Sequence, residues 1–188
     1  DYLKSLDFVL IHDDYLDLIP VENFSKKESY FRMRHNLKSI PVYNLNEKYT
    51  ISSVDVFNEA KDVSDLIGKC YENLRPDVVT VKNWIEHPVF DENLWIWKKK
   101  KKRGNKVGLG IAEMDKRPSE VSLEWIQILP GYHGEGLGKA LVFELLARSK
   151  DRVEFATVAG EYDSAENLKK FYEKCGFIGK DIWWVLKK

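Results

Sequence analysis

The sequence predicts a protein of the α/β class, and three observations support this. From residue 49 onward, short apolar stretches typical of strands are interleaved with stretches that repeat apolar residues at helical spacing. A glycine-rich turn over residues 130–138 connects one such strand to one such helix. The chain has 188 residues, 44% of them hydrophobic, which is enough to bury about 70% of its extended surface.

The elements follow in the order strand, helix, helix, strand, strand, strand, helix, strand, helix, strand. The first helix, 57–74, has Ile67 and Cys70 on its apolar face, and the second, 80–87, stops before Pro88. The predicted strands are 49–51, 94–99, 107–115, 121–129, 153–158 and 182–186, and the later helices are 137–149 and 164–174.

The strand 121–129 changes its apolar phase partway along. Val121, Leu123 and Trp125 share one parity, whereas Ile126 and Ile128 take the other. Because a shift of one residue moves side chains to the opposite face, this pattern predicts a β-bulge near residues 125–127. A strand buried on both faces is the alternative interpretation.

Six consecutive basic residues over 98–103 precede Gly104-Asn105 and lie between two apolar stretches. This pattern predicts the tip of a β-hairpin. We expect its lysines to form a solvated edge that resists aggregation. A docking patch for an acidic partner is the alternative.

Composition and charge exclude several classes of protein. The 30 Lys and Arg residues balance the 30 Asp and Glu residues, which argues against nucleic-acid and anionic-membrane partners. No apolar run reaches the roughly 20 residues of a membrane span and no signal segment is recognised, so we expect a cytoplasmic protein. Cys70 and Cys175 are expected to be buried free thiols, and the four histidines give no metal-ligand spacing, so no metal is expected.

The glycine-rich turn has the features of a phosphate-binding loop. Gly134, Gly136 and Gly138 let the main chain approach an anion closely. The first N–H groups of the following helix point at such an anion, with the positive end of the helix dipole behind them. An ordinary glycine-rich connection is the alternative.

Two other phosphate loops are excluded by spacing. A dinucleotide-binding motif that begins at Gly134 requires glycine where Lys139 stands. A P-loop ending in Gly138-Lys139 requires glycine in place of His133 and Ser or Thr in place of Ala140.

The remaining pattern, Pro-x-x-His-Gly-x-Gly-x-Gly, resembles the acyl-coenzyme A loop of the GNAT superfamily of N-acetyltransferases. Gly136 and Gly138 stand at the glycine positions of that loop, and His133 stands where Arg or Gln is usual. A second block, over 163–177, resembles the family's later helix, in which an early Asn is followed by Phe-Tyr and then Gly-Phe.

The second block also has the signals of a helix. Asp163 is predicted to cap this helix, and Glu166, three residues later, is predicted to complete a capping box with it. Leu168 and Tyr172 share its apolar face, and Gly176 suits a left-handed exit.

The resemblance covers residues 49–188 and implies a central mixed β-sheet flanked by helices. It also implies acetyl-coenzyme A (acetyl-CoA) as the acyl donor and direct transfer to an amine in a ternary complex. The residues that it implies for coenzyme binding are Gln127, Ile128, Leu129, His133, Gly134, Glu135, Gly136, Leu137, Gly138, Lys139 and Asn167.

The resemblance also implies catalytic roles. Tyr172 is the candidate acid for the departing thiolate, because the family's helix commonly aims this hydroxyl at the coenzyme sulfur. Glu124 is the candidate base, and Glu113 is the runner-up. A base is dispensable if the acceptor amine arrives unprotonated. The alternatives for Tyr172 and Glu124 are a core tyrosine and a structural or solvent-facing glutamate.

An imidazole that faces a pyrophosphate is favoured in its protonated form. If His133 does so, coenzyme affinity should weaken as the pH rises through neutrality.

Residues 1–48 lie outside the resemblance and form an extension of undefined fold. Their apolar clusters make us expect extra strands or a helix that pack on a main domain of residues 49–188. We expect this extension to cover part of the acceptor cleft or a subunit interface.

The acceptor is not defined by the sequence. Aromatic residues could line a cleft for a partly apolar amine or form core, namely Trp84, Trp95, Trp97, Trp125, Tyr162, Trp183 and Trp184. A coenzyme-binding regulatory module without turnover and a transferase for a longer acyl donor are the alternative functions. A homodimer is compatible with the sequence.

Overall fold

The computed structural model describes residues 7–43, 46–71, 74–163 and 167–188. Contacts divide the chain into a central unit, residues 36–156, and a terminal unit, residues 1–35 and 157–188. Each unit combines β-strands with helix, which confirms the predicted α/β class.

Among its described residues, the central unit contains four antiparallel strands in the order β6-β5-β4-β3. Their bounds are Tyr49–Ser53 for β3, Trp95–Lys100 for β4, Lys106–Asp115 for β5 and Glu120–Ile128 for β6. The strand β7, Phe155–Glu161, begins in this unit and continues into the terminal unit from Thr157.

The part of the central unit that the structure describes contains three α-helices: α1 (Ala60–Cys70), α2 (Val78–Ile85) and α3 (Leu137–Ser149). The bounds of α3 are those predicted. The helix α2 begins two residues earlier than predicted, because the Asp77 carboxylate accepts a hydrogen bond from the Thr80 N–H at 2.7 Å and caps it. None of the helices in the described residues is long and apolar enough to cross a membrane.

The two faces of the central sheet bury different helices. Trp95 and Trp97 of β4 pack with α1 and α2 in one cluster. Successive strand residues point to opposite faces, and a Cβ built on Gly110 of β5 would lie 3.2 Å from Leu145 of α3. The helix α3 therefore covers the other face, where Gly110 permits its close approach.

The predicted bulge in β6 is present at Glu124. Ile111 pairs with Trp125, but the next residue, Ala112, pairs with Leu123, so Glu124 has no partner across the ladder. The extra residue lies just before the predicted region and explains the change of apolar phase.

The predicted hairpin between β4 and β5 is confirmed. Gly104 adopts a φ of 65°, and its N–H donates to the Lys100 carbonyl at 2.8 Å. The prediction that the whole basic run is solvated was wrong for Lys98, which is fully buried on β4. Lys98 lies opposite Gly108, on the face covered by α3, because it precedes the turn by several residues.

The terminal unit contains strands from both ends of the chain in the order β1-β8-β2-β7. The bounds are Phe8–His12 for β1, Lys26–His35 for β2 and Ile178–Lys187 for β8. The strand β8 is antiparallel to both β1 and β2. The amino-terminal strand β2 is thus an interior strand of this unit.

An α-helix of the terminal unit, α4, spans Leu168–Glu173. Its N-cap is Asn167, so the prediction that Asp163 caps this helix was wrong, and Glu166 lies outside the described residues. The predicted left-handed exit is confirmed by the φ of 92° at Gly176. Cys175, just after α4, is buried and forms no disulfide, whereas Cys70, which also forms none, is only partly buried.

Candidate functional site

The loop between β6 and α3 has an unusual backbone. Gly134 and Gly136 adopt φ angles of 83° and 75°, in the left-handed region that favours glycine. A Cβ built on Gly134 would meet nothing within 4 Å, so the backbone conformation, and not crowding, requires glycine there. Gly136 is the N-cap of α3 and supplies no side-chain cap.

The first turn of α3 offers donors to an anion. Amides in the first turn of a helix have no intrahelical acceptor, and the helix dipole adds positive potential. Leu137 is buried, whereas Gly138 and Lys139 are partly exposed. The residues 133–136 before them are exposed. This chemistry fits a phosphate group.

Two tyrosines from the preceding part of the central unit hold the loop. The Tyr49 hydroxyl donates to the Glu135 carboxylate, with 2.8 Å between Oη and Oε2. The Tyr43 hydroxyl donates to the Gly136 carbonyl at 3.1 Å. The sequence did not reveal either contact, because each joins residues more than 80 positions apart.

His133 folds back onto β6. Its Nε2 lies 2.8 Å from the Ile128 carbonyl oxygen, which also accepts a hydrogen bond from Cys70 Sγ at 3.6 Å. A nitrogen that donates to this carbonyl is not directed at a ligand. The Nδ1 atom is the ring nitrogen left for a phosphate.

The end of β6 carries the other residues predicted to bind coenzyme. Leu129 uses both main-chain groups inside the protein, since its N–H donates to the Val107 carbonyl and its carbonyl accepts from the Tyr132 N–H. The Gln127 side chain donates to the Tyr71 hydroxyl at 2.8 Å. The main chain of Leu129 is therefore occupied within the protein, and Tyr71 is a neighbour of Gln127 that the sequence did not reveal.

At the bulge, and on its side away from the glycine loop, β5 and β6 carry a group of acidic side chains. Glu124 is exposed and accepts a hydrogen bond from Ser122 Oγ at 2.6 Å. Burial raises the pKa of Glu113 above its ordinary value, the negative charge of Glu124 raises it further, and His87 opposes the shift. The structure thus brings the two candidate bases into electrostatic contact.

A small cavity of about 150 Å³ adjoins these carboxylates. Its lining residues are Val89, Glu113, Asp115, Glu120 and Ser122. Asp115 and Glu120 face each other across the β5–β6 ladder, and Glu113 faces Ser122. Only this pairing makes the acidic residues neighbours, so the sequence alone did not predict the group.

Aromatic side chains continue the same face toward α2. The rings of Trp84 and Trp125 stack with centroids 5.6 Å apart, and Tyr71 contacts Trp125 edge-on at 6.3 Å. Trp95 and Trp97 are buried core residues. Of the central-unit tryptophans proposed for an acceptor cleft, only Trp84 and Trp125 are accessible.

Asn167 and Tyr172 belong to the terminal unit. Asn167 has a left-handed backbone, with φ 53° and ψ 46°, and its side chain makes no capping hydrogen bond. Tyr172 is 7% exposed, and its ring contacts Phe31, Phe171 and Phe177. Packing on three sides fixes the orientation of the Tyr172 ring.

Potential metal ligands do not cluster in the described residues: no group of three or more His, Cys, Asp or Glu side chains there is arranged to hold an ion.

The overall arrangement is shared with known acetyltransferases. The chain matches a GCN5-related N-acetyltransferase from Sphaerobacter thermophilus with a TM-score of 0.80 at 14% identity, over 96% of this chain and 59% of that one. It matches Ard1 from Thermoplasma volcanium with a TM-score of 0.59 at 12% identity, over 74% of this chain and 97% of that one. At these identities the likeness shows the fold, and the chain spans 59% of the length of the first protein.

Sequence comparison gives the family. A search of curated proteins found no match. The model of the acetyltransferase (GNAT) family matches residues 60–177, more than half of the chain and including the glycine loop and Tyr172. The chain therefore belongs to the GNAT acetyltransferase family.

Proposed function

We propose that this chain is an N-acetyltransferase that moves an acetyl group from acetyl-CoA to a primary amine of a small molecule or peptide, by direct transfer in a ternary complex. The loop 133–138 is the observation that carries the proposal, because its left-handed glycines lead into a helix without a side-chain cap. Family membership supports the reaction class.

The coenzyme diphosphate would be held by the loop. The amides of Leu137, Gly138 and Lys139 would donate to its oxygens, and the Lys139 ammonium would add positive charge. Bound acetyl-CoA would supply the acetyl group as an activated thioester. His133, Gly134, Gly136 and the end of β6 from Gln127 complete the proposed binding residues of this unit.

The acidic residues on β5 and β6 would receive the acceptor amine. An ammonium is attracted there by carboxylates, but only the neutral amine is a nucleophile. Glu124 is the proposed base because it occupies the bulge and is exposed. Glu113 is the alternative base. Its raised pKa makes its carboxylate a stronger proton acceptor than a glutamate with the ordinary pKa.

Tyr172 is the proposed acid for the thiolate, and Asn167 is the proposed partner of the pantetheine arm. Both assignments rest on the family resemblance. The Asn167 side chain makes no capping hydrogen bond and the Tyr172 ring is fixed by packing, and both features are compatible with these roles.

An assay of acetyl transfer to a panel of amines and peptides tests the proposal. The reaction is monitored through the free coenzyme A thiol that it releases. We expect turnover with at least one amine, and we expect Tyr172→Phe to lower kcat by about 10²-fold while acetyl-CoA affinity is kept. Tyr30→Phe is the matched control from the same unit and should retain wild-type kcat. Coenzyme binding without turnover on any amine would instead identify a regulatory module.

A further inference from the structure

The proposed phosphate loop contains one negative charge of its own. Glu135 stands between Gly134 and Gly136, which are residues of this loop with left-handed backbone. A carboxylate that turned toward the bound diphosphate would repel it, because like charges a few ångströms apart interact strongly outside bulk water. The loop therefore needs a device that keeps this carboxylate away from the ligand.

Tyr49 is placed to do this. It is the first residue of β3, is 3% exposed and packs with Val107 and Leu137. Its main-chain N–H donates to the Asn46 carbonyl at 2.9 Å. The ring is thus fixed from several sides, and its hydroxyl holds Glu135 Oε2 at 2.8 Å.

The hydroxyl remains a donor at physiological pH. Burial raises the pKa of Tyr49 above its ordinary value, and the hydrogen bond to Glu135 raises it further. A hydrogen bond to a carboxylate is stronger than one between neutral groups. The contact can therefore restrain Glu135 without a counter-cation.

We propose that Tyr49 is a positioning residue for coenzyme binding, which draws the Glu135 carboxylate out of the phosphate-binding loop so that the α3 amides face an anion unopposed. This inference rests on the proposed function. It gives Tyr49 a role in coenzyme affinity and none in the chemical step.

A double-mutant cycle measured by calorimetric titration with acetyl-CoA at low salt tests the inference. Tyr49→Phe should weaken binding about tenfold, the effect of one charge interaction of about 1.4 kcal/mol, and the loss should shrink at high salt. Glu135→Gln should bind at least as tightly as wild type, because it removes the charge that Tyr49 otherwise restrains. In the Glu135→Gln background, Tyr49→Phe should change affinity by less than twofold.

Tyr43→Phe provides the matched control, because it removes a hydroxyl that holds the same loop through a backbone carbonyl. Any loss that it causes should persist in the Glu135→Gln background. Melting temperatures of all variants report whether Tyr49→Phe acts through stability alone.

Two results would overturn the inference. In one, Tyr49→Phe binds acetyl-CoA as wild type does; in the other, the loss is the same with Glu135 or Gln at position 135, as a purely structural role predicts. Wild-type protein that binds no coenzyme at all is a different outcome, and it would refute the proposed function itself.

Discussion

The Lys98 side chain has no hydrogen-bond partner for its ammonium among the described residues, although it is fully buried. Loss of hydration lowers its pKa to about 8 from 10.5, and the charge of Glu144 opposes the shift. An unpaired cation in the interior costs stability, whereas its long methylene chain still fills space beside Gly108.

Lys98→Met should therefore stabilise the protein by about 1–3 kcal/mol at pH 7, as measured by denaturant unfolding. Because the folded state binds fewer protons than the unfolded state between pH 8 and 10.5, wild-type stability should rise with pH across that window. The variant should lack this rise. Lys101→Met, at an exposed site, should change stability by less than about 0.5 kcal/mol, and an equal gain there would contradict the account.

Gly136→Ala tests the left-handed backbone of the coenzyme loop. Alanine at a φ of 75° costs about 1–2 kcal/mol, and its Cβ would lie 3.3 Å from the Tyr43 hydroxyl. We expect acetyl-CoA affinity to fall about tenfold. Gly131→Ala, where a Cβ would meet nothing within 4 Å and φ is not positive, should bind as wild type; a similar loss in both would argue against the loop geometry.

The sequence predicted the glycine loop but not its supports. The loop depends on residues that are neighbours in the chain, and spacing alone distinguishes it from other phosphate motifs. Tertiary structure sets the contacts of Tyr43 and Tyr49 with the loop. It also sets the hydrogen bond between His133 and the Ile128 carbonyl. The burial of Lys98 was not predicted, because a run of charged residues usually lies on a solvated surface.

At the scale of elements, Glu59 fixes the start of α1 to the central sheet. Its carboxylate accepts from Trp97 Nε1 at 2.7 Å and from the Asp55 N–H at 2.9 Å, and it pairs with Lys106 at 2.5 Å. Partial burial raises its pKa, but these partners outweigh burial and lower the pKa to about 2.

Glu59→Gln should lower the free energy of unfolding by about 1–2 kcal/mol at pH 7. Since the pKa falls from 4.5 to about 2 on folding, this contribution is complete above pH 4.5 and is lost as the pH drops toward 2. Urea unfolding between pH 2 and 7 measures it. Asp62→Asn is the control, because this more exposed partner of Lys106 should contribute less than about 0.5 kcal/mol.

Elements with strong end signals were predicted well. The helix α3 has the predicted bounds because glycines precede it and its apolar residues repeat regularly. The helix α4 is shorter than predicted, since it begins after the left-handed Asn167. The capping signals upstream of α4 were also compatible with a start near residue 164. Helix propensity alone does not decide between that start and the observed start at Leu168.

At the scale of the whole molecule, the two ends of the chain combine in the terminal unit. The strand β2 lies between β7 and β8, and its Phe31 and Met33 are buried. Periodicity could not predict this position, because strand order depends on pairing between distant segments. The order of elements from residue 49 onward, by contrast, follows from local patterns.

A chain that starts at Asn36 should therefore lose the fold of the terminal unit. Without β2, the main-chain groups of β8 that pair with it become exposed. Hydrogen exchange followed by mass spectrometry should show rapid exchange across Ile178–Lys187, whereas the same strand, paired in the longer chain, should be protected. Continued protection there would contradict an integral role for β2.

Calorimetric titration of this chain with acetyl-CoA, free coenzyme A and a longer acyl donor measures directly whether the loop between β6 and α3 binds coenzyme. We expect micromolar binding of acetyl-CoA, a binding free energy of about 8 kcal/mol in magnitude, and weaker binding by the Gly136→Ala variant. Absence of binding to all three compounds would contradict the claim that the loop between β6 and α3 is a coenzyme site.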